Sequence, residues 1–278
     1  MRWTPGGRSP NLEDRRGRGF GGPVGIGGGI LTLILALIFG PQVLTNDDES
    51  TSVSPGEVAL SPEDSAREEP LVQFVSFVLD DVQNTWAKEF SEASGGYQPA
   101  RMVLFRDGTQ SACGIGQSAM GPFYCPLDQK VYLDLGFFNE LDRRFGAPGD
   151  FAQAYVIAHE LGHHVQHLQG IDQRVRELQS RNPSAANQLS VRLELQADCY
   201  AGVWGSSAAK SGKLEMGDVE EGLRAASAIG DDRIQAQTTG NVNVDSFTHG
   251  SAEQRSMWFR RGLESGDPRS CDTFAGAF

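Results

Sequence analysis

Residues 150–168 recur with helical spacing: Ala154, Ile157, Ala158, Leu161 and Val165 fall on a face that asks to be buried. Inside that run stands His159-Glu160-Leu161-Gly162-His163. Residues four apart on a helix lie one turn from each other, so both imidazoles can meet a single ion. Glu160 adjoins the first of them and can reach a water beside that ion without binding it. Burying such polar groups without a partner is costly, which argues against two idle histidines on an apolar helix. This constrains the chain more than any other feature: a second element must pack across the helix and complete the set.

Two ligands do not hold a catalytic zinc, so a third is required. A histidine six residues after His163 would serve in one known pattern, but Gln169 stands there, and His167 is four residues on, too far along a continuing helix. Glu194-Leu195-Gln196-Ala197-Asp198 offers a carboxylate instead, and Leu193, Leu195, Ala197 and Tyr200 around it speak against a solvated acidic face. Glu194 is expected as the third ligand. Asp198, one turn further, suits the task of accepting the other N–H of a ligand histidine and fixing its tautomer. Three protein ligands leave a position for water, whose pKa zinc brings down to about 7. Glu160 is expected as general base and then acid. His249, the one histidine outside 159–167, is the candidate donor to a developing oxyanion, with Tyr155 and Tyr200 as weaker candidates. His164 and His167 read as packing or surface residues.

Around this core, the periodicity predicts helices near 71–90, 150–168, 171–180, 188–209, 218–229 and 251–263, with strands at Arg101–Phe105 and Lys130–Leu135. The expected class is α+β, mostly helical with a small sheet. Residues 1–23 carry five arginines (Arg2, Arg8, Arg15, Arg16, Arg18) and read as a cytoplasmic tail. Residues 24–44 are uncharged and long enough to cross a bilayer, and read as a transmembrane anchor rather than a cleaved leader or a core helix. Residues 45–70, acidic and punctuated by Pro55, Pro62 and Pro70, read as a disordered linker, and 71–278 as the folded domain. Positive charge before the span and acids after it place the N-terminus in the cytoplasm and the domain outside. There disulfides persist, so Cys113 with Cys125 and Cys199 with Cys271 are candidate pairs. The net charge of −12 argues against a nucleic-acid partner.

The stretches Gly121-Pro122-Phe123-Tyr124-Cys125-Pro126, Lys130-Val131-Tyr132-Leu133-Asp134, His159 to Gln166, Glu194 to Gly202 and Thr248-His249-Gly250-Ser251 together carry a resemblance. They resemble the bacterial neutral zinc metallopeptidases of the YpfJ-like family, over 71–278 and into the N-terminal segments. More distantly, the chain is similar to HtpX-type membrane gluzincins, which share the ExxxD motif and a histidine before a late helix. The resemblance implies a gluzincin-like (zincin-like) fold with Zn2+ held by His159, His163 and Glu194. It also implies a peptide or protein substrate. The expectation is a membrane-anchored zinc metalloendopeptidase, a hydrolase. The alternatives are a non-cleaving, zinc-stabilised factor for binding or assembly at the cell envelope, and a zinc amidase acting on cell-wall peptides.

Overall fold

The structure is a computed structural model that describes residues 1–17, 61–92 and 96–275. A four-stranded sheet has the order β1 (Leu12–Asp14), β2 (Arg101–Phe105), β6 (Lys130–Asp134), β5 (Phe123–Cys125). The first three strands are parallel; β5 runs antiparallel to β6 and forms one edge. A hairpin of β3 (Gly108–Ser111) and β4 (Gly114–Gln117) stands apart from this sheet. The helices are α1 (Pro62–Glu92), α2 (Phe137–Arg143), α3 (Asp150–Leu168), α4 (Ile171–Arg181), α5 (Ala186–Lys210), α6 (Asp218–Ala228), α7 (Asp231–Thr238) and α8 (Ala252–Ser265). The class is α+β and mostly helical, as the periodicity predicts.

One core joins sheet and helices. Trp86, Met102, Leu104, Leu133, Phe151, Tyr155, Leu161 and Trp204 are all within 1% of complete burial and belong to it. The helix α3 crosses this core and packs against α1, α5 and α6. Close approach of α3 and α5 depends on Gly162: a Cβ there would stand 3.1 Å from the Ala197 carbonyl oxygen. The α5–α8 contact is tighter, since a Cβ at Gly262 would lie 1.9 Å from the Cys199 carbonyl oxygen. Disulfides join Cys113 to Cys125 and Cys199 to Cys271, the second tying α5 to the turn after α8.

The N-terminal segment departs from the expected tail. Leu12, Glu13 and Asp14 pair with Met102, Val103 and Leu104, and the Met1 ammonium lies between Asp150 and Asp218. Arg16, 3% exposed, binds Asp14 and Glu68, while Arg8 binds Asp14 and Glu69. These contacts also order residues 62–70, expected as part of a linker, into the first turns of α1. The charges of the two segments are complementary and meet, where composition alone suggested that each stays solvated.

The proposed span at 24–44 lies outside the described residues. Among the described residues no helix is long and apolar enough to cross a membrane. Residues 1–17 and the domain expected on the far side of the bilayer form one packed body through β1–β2 and the arginine ion pairs. The expected localisation, a single-pass membrane protein with a cytoplasmic N-terminus and an extracytoplasmic domain, is therefore corrected.

Candidate metal centre

Helical spacing on α3 and the Gly162 crossing bring His159, His163 and Glu194 together, with one donor atom of each within 4.8 Å of the others. His159 Nε2 stands 3.2 Å from Glu194 Oε2, and His163 Nε2 stands 3.5 Å from Glu194 Oε1. Zinc bonds of 2.0–2.1 Å at tetrahedral angles require donors about 3.3 Å apart. Two imidazole nitrogens and a carboxylate at this spacing fit zinc. The far nitrogens are also fixed. His159 Nδ1–H donates to Asp198 Oδ1 (2.8 Å), which turns Nε2 toward Glu194 as the atom that would meet an ion. His163 Nδ1–H donates to Gln166 Oε1 (2.8 Å), and the Gln166 amide in turn donates to the Leu193 carbonyl (2.7 Å) on α5.

Asp198 is fully buried, and its charge is answered from three sides. Besides His159, it accepts from Tyr155 Oη (2.5 Å) and from Arg255 through Nε and Nη2, both at 2.9 Å. Burial alone would raise its pKa, but Arg255 and His159 outweigh that and lower it. Burial opposes protonation of His159, yet Asp198 and Glu194 lift its pKa to about 10. Without an ion these carboxylates favour a proton on His159, which an entering metal ion would have to displace. Sequence reasoning missed Arg255. Its signal was an arginine on the apolar face of α8, in the row Ala252, Arg255, Phe259, Gly262, all of them buried.

Glu160 is 8% exposed, its carboxylate makes no hydrogen bond among the described residues, and it lines two cavities that meet beside the three-donor cluster. The larger, about 520 Å³, runs from His159 and Glu160 toward α2 and α7. The smaller, about 340 Å³, is lined by Phe123 and Tyr124 of edge strand β5 together with His163 and Glu194.

His249 borders both cavities. Its Nδ1 faces Asp231 Oδ1 at 3.2 Å, leaving Nε2 for the cavity. The backbone N–H groups of Thr248, His249 and Gly250 all donate to Asp231 Oδ2, at 2.7, 2.6 and 3.0 Å. Asp231 was not anticipated; an acid at the first position of a short helix after glycine reads as an ordinary dipole-compensating residue. Of the weaker candidates, Tyr155 is committed to Asp198, and Tyr200 donates to Gln169 (2.9 Å) away from both cavities. His164 is fully buried, donating from Nε2 to the Gln98 carbonyl (2.6 Å) and accepting from Tyr124 Oη (3.0 Å); His167 pairs with Asp172.

A family model described as "Putative neutral zinc metallopeptidase" matches residues 1–274. The chain is 48% identical to the uncharacterized protein YpfJ of Escherichia coli K12 over 295 aligned positions, covering 99% of each chain. It is 46% identical to the uncharacterized proteins Mb2605 of Mycobacterium bovis and Rv2575 of Mycobacterium tuberculosis H37Rv, over 66% of this chain and 64% of theirs. No solved structure matches.

Proposed function

Because this chain belongs to the neutral zinc metallopeptidase family, whose cofactor is zinc, we propose that it is a zinc endopeptidase of gluzincin-like fold. His159, His163 and Glu194 hold the ion, and Glu160 acts as base and acid. The observation that carries this reading is the Glu160 carboxylate, unpartnered among the described residues at the junction of two cavities and beside a three-donor cluster. A purely structural site has no use for such a group, and among the described residues no fourth ligand closes this one.

Bound zinc supplies Lewis acidity, polarising a carbonyl and making water acidic enough to react near neutral pH. The chain's residues do the rest. The free edge of β5 accepts an extended peptide as a further antiparallel strand and presents its backbone to Glu160. Glu160 takes a proton from the attacking water as oxygen bonds to the carbonyl carbon. The His249 Nε2–H, with its ring braced by Asp231, donates to the oxygen that gains charge. Glu160 then passes its proton to the nitrogen as the C–N bond breaks, and the remaining hydroxyl proton follows it to the same nitrogen, giving a carboxylate and an ammonium group. Asp198 and Gln166 keep the two imidazoles in place throughout.

The test is metal content and peptide hydrolysis by the full chain and by Glu160→Gln. One zinc per chain in both, with hydrolysis confined to the wild type, is expected. Equal hydrolysis by both would remove Glu160 from the reaction, and zinc in both without hydrolysis would favour a binding factor.

A further inference from the structure

Strand β5, the edge that would receive a peptide, is three residues long and among the described residues pairs with β6 alone. A strand so short has little hold of its own, and the side chains on its two faces supply the rest. Toward α3, Tyr124 Oη donates to His164 Nδ1 at 3.0 Å. On the opposite face Phe123 stacks on Tyr132, with ring centroids 4.9 Å apart. The β3–β4 hairpin closes over that ring, since a Cβ at Gly116 would lie 2.5 Å from Phe123 Cε1. Cys125, on the same face as Phe123, is bonded to Cys113 at the tip of the hairpin.

The packing behind this face is slight. Val103, Phe105, Cys125 and Tyr132, with Phe123 against them, form a cluster of their own, separate from the core that holds the helices. The bridge is the covalent tie between hairpin and edge strand, and it is open to attack. Cys125 is fully buried, but Cys113 stands exposed in the two-residue turn between Ser111 and Gly114.

The other bridge differs on both counts. Cys199 and Cys271 are each completely buried, and both belong to the main core. A thiol in solution meets Cys113 and neither of those sulfurs.

Resting on the peptidase reading for its effect on substrate, we propose that Cys113 is an exchange site for small thiols. Opening its bridge loosens the β5 edge and leaves the three-donor cluster in place. A thiolate attacks Cys113 Sγ, the Cys113–Cys125 bond breaks, and Cys125 leaves as a thiolate that takes a proton from water. A second thiolate attacks the outer sulfur of the mixed disulfide, and Cys113 leaves and is protonated in turn. Two thiols are thus oxidised to one disulfide, while the protein bridge gains two electrons and two protons. His159, His163 and Glu194 stand on α3 and α5, held by the main core and by the second bridge.

The test treats the zinc-loaded full chain with reduced glutathione and follows peptide masses, deuterium uptake and peptide hydrolysis. The Cys113–Cys125 bridge is expected to open first, with Cys199–Cys271 and the zinc retained. Because it spans 12 residues of sequence, deuterium uptake at 108–117 and 123–125 is expected to quicken by about 10–100-fold. KM is expected to rise about tenfold with kcat little changed, since the edge that receives the peptide is formed less of the time. Oxidised glutathione reverses all of this. The double variant Cys113→Ser, Cys125→Ser shows the same uptake and KM without thiol and no longer responds to it. Should that variant fail to fold, the reversal in the wild type decides. Opening of both bridges together, or an opened first bridge with unchanged uptake at 123–125 or unchanged KM, overturns the proposal. So does a folded double variant that holds no zinc. A chain that hydrolyses no peptide in either state would sink the peptidase reading, and masses and uptake would still decide the exchange site.

Discussion

Two regions meet along α3 and are built in opposite ways. On the side of α5 and α8, Asp198 is saturated by His159, Tyr155 and Arg255, and Gln166 spans from His163 to the Leu193 carbonyl. On the side of α2 and α7, Phe145, Ile229 and Ile234, each only partly buried, line a cavity. The first region fixes where the three donor atoms stand, and a change there reaches that cluster. The second only shapes what fits, so a change there is expected to alter selectivity with little loss of stability. Glu160 lies on the border, which is why both cavities reach it.

The sharpest division between the two comes from substitutions of increasing subtlety. Glu160→Gln should lower kcat/KM by about 10²–10⁴-fold with zinc content unchanged, since it removes proton transfer and no ligand. Arg255→Met removes one partner of a buried pair and leaves Asp198 short of compensation. It should cost roughly 3–5 kcal/mol in denaturant unfolding, and weaken zinc binding by about 10–100-fold in competition with a chelator. If Arg255→Met alters neither, the contrast between the regions fails.

Two pH experiments extend the comparison to the rest of α3. Burial, against the Gln98 hydrogen bond, lowers the His164 pKa to about 4 from its ordinary 6.5. The unfolded chain then binds more protons than the folded one between those values. Stability is fully present above pH 6.5 and is lost as pH falls toward 4, by roughly 3 kcal/mol. Unfolding of wild type and His164→Gln at pH 7 and pH 4.5 should show a smaller loss in the variant. At His159 the sign is opposite: burial disfavours the charged form, but Asp198 and Glu194 prevail and hold the pKa near 10. Zinc must displace that proton, so affinity should rise about tenfold per pH unit between pH 6 and 9. A pH-independent zinc affinity would mean that His159 is already neutral.

The clustering of His159, His163 and Glu194 was the most legible part of the candidate site because it is local. His159 and His163 need only helical spacing, and the apolar setting of Glu194 pointed to the partner helix. The arrangement that supports it was less so. Arg255 looks like one more surface charge until α8 is docked through Gly262 against the Cys199 carbonyl. Strand β5 is three residues long, too short for alternation to register. The N-terminal segment misled most. Leu12-Glu13-Asp14 has the charge of a solvated tail, and its order depends on arginine pairs with acids some fifty to sixty residues away.

That N-terminal docking has a consequence for biosynthesis. Leu12 pairs with Met102, and the Arg2 backbone N–H donates to the Lys213 carbonyl at 2.7 Å. At about 5–20 residues per second, the second partner is made roughly 10–40 s after the first leaves the ribosome's active centre. The contacts of residues 1 and 2 can thus form only after most of the domain has been made. Anything that holds the N-terminus during synthesis would delay the whole domain's maturation without touching a residue near the metal.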